Sequence, residues 1–293
     1  MTDRLSSVSI SDHGGPYDVV SGPDGALWVT LVHAGAIARA TPDGDVRTYP
    51  LGAPESGPTV ITPGPDGGLW FTRYRDHRIG RVMTDGSVVA YDPPHLQSGP
   101  YGIATGPDGA LWFTMMNRHS IGRITTAGET REYPLPVAGG FPSAIVAATD
   151  ALWFTLNQGN AIGRVDLDGA VDILPLPTPD AGPVGLTHDG ESVWFVEILA
   201  GQIGRVDPDG SIEEFPLPDR EARPHAIVAD PTGGCWFTEW AANRLGWIGP
   251  AGQFSHHDLA AAGSEPHGLT LEPDGGVYVA MESGTLARVH RVQ

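Results

Sequence analysis

Short apolar runs of four to six residues, rich in β-branched and aromatic side chains, alternate along the whole chain with clusters of glycine, proline and aspartate. One unit reads Leu111-Trp112-Phe113-Thr114, then Ile121-Gly122-Arg123-Ile124, then Arg131-Glu132-Tyr133-Pro134-Leu135. Runs of this length and composition predict strands, and no stretch holds a helical period for three turns, so helix is at most a minor component. Asp-Gly dipeptides such as Asp24-Gly25, Asp66-Gly67, Asp108-Gly109 and Asp274-Gly275 lie between the runs. They tolerate the positive φ of tight hairpins and therefore mark strand reversals.

The unit repeats. Its aromatic anchor falls at Trp28, Trp70, Trp112, Trp153, Trp194, Trp236 and Tyr278, at spacings of 41 or 42 residues that leave almost nothing outside the repeat. Four strands in about 42 residues is the size of a propeller blade. The chain is thus expected to be all-β, a seven-bladed β-propeller of four-stranded antiparallel blades forming a single domain over residues 1–293. Closing the ring must hide two sheet edges. Leu5 to Ile10 precede the first turn with the place of a fourth strand, while the last copy ends after Ala287-Arg288-Val289-His290 with its fourth strand missing. The N-terminal strand is therefore expected to complete the last blade.

Composition narrows the chemistry. Thirty-five acidic residues against 17 basic ones give a formal charge of -18, which argues against a nucleic-acid partner. Every basic residue is arginine, so Schiff-base chemistry on lysine is excluded. Cys235 is the sole cysteine, which rules out an intrachain disulfide and a cysteine zinc cluster. The opening seven residues have no apolar core of signal-peptide length and no run approaches membrane-spanning length, so a soluble, cytoplasmic protein without a membrane partner is expected. The expected state is a monomer. Serine-hydrolase elbows, phosphate-binding loops and His-Glu-x-x-His are absent.

The repeats align on the proline before each first strand, and where one blade departs from the rest, function is expected. The residues after that proline are Tyr17, Thr59, Tyr101, Ser143, Val184, His225 and His267; before it glycine is the default, with Glu265 standing out. Four residues past the anchor, Glu282 and Trp240 stand out likewise. The second strand runs back to the rim from which the first one starts. That geometry predicts Glu265, His267 and Glu282 together on blade seven, His225 and Trp240 beside them on blade six, and Tyr17 on the other flank. Arg73, Tyr74, Tyr101, Met115 and Met116 are expected across the mouth. Glu197 and Glu239 alternate to the other face and read as structural, and His256-His257 reads as a solvated outer face. Two carboxylates suit Mg²⁺, and His267 or His225 suits a general base. Together they suggest proton abstraction beside a carbonyl.

At these residues the sequence resembles the virginiamycin B (streptogramin B) lyase family. The resemblance covers essentially the whole chain and rests on Arg223-Pro224-His225-Ala226-Ile227, Trp236-Phe237-Thr238-Glu239-Trp240, Glu265-Pro266-His267-Gly268 and Ala280-Met281-Glu282. It implies a lyase that linearises a cyclic depsipeptide antibiotic by elimination at its ester, and so confers resistance. His267 would be the base, Glu265 and Glu282 the Mg²⁺ ligands, and His225 a substrate contact that helps to protonate the leaving group. Tyr17, Tyr101 and Trp240 would cover the apolar parts of this small-molecule substrate. Two rival readings remain open: a metal-dependent lactonase or esterase, and a binding propeller without catalysis.

Overall fold

The computed structural model describes residues 4–259 and 263–290; residues 1–3, 260–262 and 291–293, which belong to the expected single domain, lie outside the described residues. Seven four-stranded antiparallel sheets are arranged as a ring. Each innermost strand packs against that of the next blade, and the seventh against the first. The first blade comprises Pro16–Ser21, Leu27–Leu31, Ala36–Ala40 and Val46–Pro50, in that order from the axis outward. Two single 3-10 turns, Pro54–Ser56 and Met116–Arg118, are the helical elements among the described residues. None of the described helices is long and apolar enough to cross a membrane.

The ring closes as the sequence predicts. Arg4–Ser9 runs antiparallel to Thr285–His290, pairing Leu5 with Val289 and Val8 with Leu286, and so supplies the outer strand of the last blade. Beyond this strand, the Ile10 amide donates to the Gly284 carbonyl at 2.9 Å.

The repeated phrase is a packing device. The turn aspartate accepts the indole N–H of the anchor four residues later, as from Trp28 to Asp24 at 3.0 Å and from Trp112 to Asp108 at 3.0 Å. Its other oxygen takes the arginine of the third strand, Arg39 or Arg123 in these blades. Anchors also stack on an aromatic residue of the outer strand, as Trp112 does on Tyr133. The glycine of Ile-Gly-Arg makes room for the phenylalanine opposite it: a Cβ on Gly122 would lie 2.2 Å from the Phe113 ring. In blades one and seven, where valine replaces that phenylalanine, the opposing residues are alanines, Val29 with Ala38 and Val279 with Ala287. The core lies between blades, where Trp28 and Ile37 of the first meet Ile61, Leu69 and Phe71 of the second.

A belt of hydroxyls joins successive blades near one rim. Thr30, Thr114, Thr155 and Thr238 each donate to the carbonyl of the residue after the proline in the next blade, at 2.6–2.9 Å. Thr238 thereby holds the backbone of His267. The equivalent positions Val196 and Ala280 carry no hydroxyl, so the belt is interrupted before His225 and before Tyr17.

Candidate active site

Glycine precedes the proline in most blades because the chain is left-handed there, with φ of 61° at Gly15 and 66° at Gly182. Glu265 occupies the same conformation at φ 48°. A residue with a Cβ is disfavoured in this region by roughly 1–2 kcal/mol, a cost that Phe141 and Arg223 also bear at the equivalent positions. One residue on, Pro266 pairs with Met281 across the two inner strands, and the Glu282 amide donates to the Glu265 carbonyl at 3.1 Å. The strand ends thus set both carboxylates and His267 on one rim. Ligand atoms of Glu265, His267 and Glu282 all lie within 4.8 Å of one another. The two carboxylates at this spacing fit a divalent cation, with the His267 imidazole beside them.

His267 Nε2 is 2.5 Å from Glu282 Oε2, and the His33 Nε2 reaches the other oxygen of Glu282 at 2.6 Å. These bonds, that from His267 first, hold the Glu282 carboxyl down at about 2, so it is anionic throughout the neutral range. On its flanks His267 meets Tyr17, with ring centroids 4.6 Å apart, and His225, with centroids 4.9 Å apart and planes near perpendicular. Tyr17 and Tyr101 are joined hydroxyl to hydroxyl, and Tyr74 packs edge-on against Tyr101. Burial, with His267 alongside, pushes His225 down to about 3 and keeps its ring neutral. Burial also raises both phenols, Tyr17 strongly. The Nδ1 atoms of His225 and His267 are buried and have no hydrogen-bond partner among the described residues.

The virginiamycin B lyase family model matches residues 4–289. The chain belongs to that family. The expectation of an enzyme of the lyase class stands with it. A solved virginiamycin B lyase from Staphylococcus aureus superposes with a TM-score of 0.95 at 38% identity, covering 99% of this chain and 100% of that one. A catalytically inactive histidine-to-alanine variant of the S. aureus enzyme with quinupristin gives 0.93 at 36% identity, over 99% and 100%. The virginiamycin B lyase of Saccharopolyspora erythraea is 55% identical over 56 residues, a match of 17% of this chain and 19% of that protein.

In this member of the virginiamycin B lyase family several expected placements change. Tyr101 bridges to Tyr17 instead of facing it across an open mouth. Arg73 and Met115 are buried between blades, Arg73 paired with Asp76. They sit three residues past the anchor, and the pleat turns that position inward. Tyr74 and Met116, one residue further, stay half-exposed. Glu197 and Glu239 occupy the inward position and are fully buried against Gln202 and Arg244, as structural groups. His256 and His257 do not form a solvated face: His256 Nδ1 is 3.2 Å from Glu239 Oε2, and His257 lies against the Trp236 ring. Trp240 stands half-buried on the site rim beside Arg223, whose carbonyl accepts its amide at 3.0 Å.

Two residues of the site lie outside the sequence expectations. His33 reaches Glu282 from the loop after the second strand of blade one. Asp18 lines the central channel, a cavity of about 160 Å³ that Tyr17, Tyr101 and His225 also border. Burial raises its carboxyl to about 7, against the opposing pull of amide hydrogen bonds from Ile61 and Val19.

Proposed function

We propose that this protein opens the ring of a streptogramin B cyclic depsipeptide by elimination at its ester, and thereby inactivates the antibiotic. The observation that carries the reading is the convergence of Glu265, His267 and Glu282 within 4.8 Å on a rim that also presents His225 and Tyr17. The quinupristin held by the S. aureus relative supports a small-molecule substrate of this kind.

The chemistry follows from the donor set. The His267 imidazole, through Nε2 once Glu282 turns from it, takes the α-proton of the threonine-derived residue; the electron pair released forms a Cα=Cβ double bond, and the Cβ–O bond breaks with its pair leaving on the carboxylate. Glu265 and Glu282 would hold a divalent cation, Mg²⁺ by its preference for hard oxygen donors, which would supply polarisation of the carbonyl beside that carbon. His225, being neutral, serves the departing carboxylate as an N–H hydrogen-bond donor rather than as a charged acid. Tyr17, Tyr101 and Trp240 cover the apolar side chains of the ring. The reading takes the protein as a cytoplasmic monomer without nucleic-acid or membrane partners, in keeping with its charge of -18.

Incubation with a streptogramin B, with and without EDTA, tests it by product mass. Elimination yields a linear isomer of the ring, and EDTA suppresses it. In ¹⁸O-labelled water the new carboxylate stays unlabelled, because both of its oxygens come from the ester. A product heavier by one water, carrying solvent oxygen, would replace the lyase by a lactonase built on the same carboxylates. An unaltered substrate that still binds would leave a binding propeller.

A further inference from the structure

The second residue after each proline forms a ring around the channel: Val60, Gly102, Ala144, Gly185, Ala226 and Gly268 in blades two to seven, and Asp18 in blade one. A carboxylate among small apolar residues, one position below Tyr17, calls for a physical reason. Its bonds supply one. Oδ1 accepts the Val19 amide at 2.9 Å, and Oδ2 reaches into the second blade to accept the Ile61 amide at 3.0 Å. On the other side, a Cβ on Gly268 would lie 2.1 Å from Oδ1 and 2.8 Å from the Asp18 Cα. A side chain on the residue after His267 would therefore collide with Asp18, backbone and carboxylate alike. Asp18 touches blade seven, belongs to blade one and bonds to blade two.

This contact sits where the hydroxyl belt fails. Ala280 offers no hydroxyl to the Tyr17 carbonyl, so the strand bearing Tyr17 is not tied by the belt to the blade bearing His267. On its far side the first blade is held twice: the Thr30 hydroxyl donates to the Thr59 carbonyl at 2.7 Å, and Asp18 takes the Ile61 amide. At this rim the strand bearing Tyr17, whose ring packs on His267 and bonds to the Tyr101 hydroxyl of blade three, is thus held to blade two, while at its other end Ser21 donates to Glu272 of the last blade.

We infer that Asp18 is a positioning residue of the ring-opening reaction, which clamps the first inner strand to the second blade and so sets Tyr17 against His267. The inference rests on the proposed lyase reading for its kinetic consequence, but not for its geometric one. Displacement of a positioned group by about 1 Å can cost on the order of a hundredfold in rate. Asparagine is no substitute, because its amide nitrogen would face one of the two backbone N–H donors.

Two measurements on Asp18→Ala and Asp18→Asn test this. The first is independent of substrate: in ¹³C-histidine-labelled protein, the ring resonance of His267, assigned by its loss in His267→Ala, is expected to be displaced by the ring current of Tyr17 and to lose this displacement in Tyr17→Leu. Both Asp18 variants are expected to move it the same way while the other histidine signals and the melting transition show a folded protein. A His267 resonance unchanged in both variants would overturn the inference, whether or not the wild type opens any ring. The second is kinetic: kcat for ring opening is expected to fall about tenfold or more with KM within about threefold. A kcat unchanged from wild type would equally overturn it. A wild type inactive on streptogramins with the resonance still displaced by Asp18 variants would instead refute the substrate reading and leave the clamp standing.

Discussion

His267 Nε2 and Glu282 Oε2 face each other at 2.5 Å in the last blade, from its first strand and from the residue just past its second. His267 is anchored through its backbone carbonyl, which accepts from Thr238, while its ring has only the site to serve. His267→Ala should therefore abolish ring opening, with the loss of about 10²–10⁴-fold typical of a general base, and leave the melting temperature within a few degrees of wild type. Steady-state turnover and a thermal melt check both halves; near-normal turnover would remove His267 from this role.

Glu265→Gln and Glu282→Gln each exchange a charged oxygen ligand for a neutral one. Mg²⁺ affinity, measured by titration calorimetry on chelated and dialysed protein, is expected to fall in both, and activity to return in part at high Mg²⁺. Wild-type activity in both variants after chelation would end the metal proposal.

Arg4–Ser9 gives the last blade its outer strand, so its removal bares an edge of Thr285–His290 and unseals the ring. Deletion of residues 1–10 should lower the melting temperature clearly. An unchanged melt would mean that the ring closes without this strand.

The fully buried Glu197 carboxyl is raised to about 8, by burial first and then by Glu214. The folded state thus holds a proton that the unfolded chain gives up above its ordinary value of 4.5, so the stability Glu197 contributes is full below that value and is lost as pH rises through about 8. Glu197→Gln keeps a neutral side chain and removes this slope. Melts across that window should show the variant gaining on wild type as pH increases, and a constant difference would contradict the raised value.

Phe113 and Gly122 are coupled by volume, since a Cβ on the glycine would lie 2.2 Å from the ring. Gly122→Ala should cost about 1–3 kcal/mol as an overpacked core. In a Phe113→Val background the same change should cost much less, because valine against alanine is the pair that blades one and seven carry. Denaturant melts of the four-member cycle give the coupling directly, and additive effects would refute it.

The blade count, strand order and ring closure were legible in the chain because each depends on a local pattern. A period of 41 or 42 residues, Asp-Gly turns and the Trp-Phe and Ile-Gly-Arg runs act within one blade, and the missing fourth strand at the end names its replacement at the start. Comparison of the blades with one another also singled out Glu265, His267, His225 and Glu282, since each departs from what its equivalents carry. Asp18 carries the same kind of signal, as the one charged residue among Val60, Gly102, Ala144, Gly185, Ala226 and Gly268.

Other features were decided by tertiary structure. His33 has no default to depart from, its equivalents being Arg75, Asn117, Gln158, Leu199, Ala241 and Ser283, and its contact with Glu282 exists because ring closure brings the first blade against the last. Arg73 and Met115 are withdrawn from the mouth, and His256 is drawn to Glu239, by the face to which the pleat turns each residue. The Tyr17–Tyr101 bridge depends on how closely the ring brings blades one and three together across the channel. The sequence by itself determined which residues differ and on which rim they lie, because strand direction and period are properties of one blade. Which of them touch was left to the curvature of the ring, because those distances run between blades and no pattern within a blade sets them.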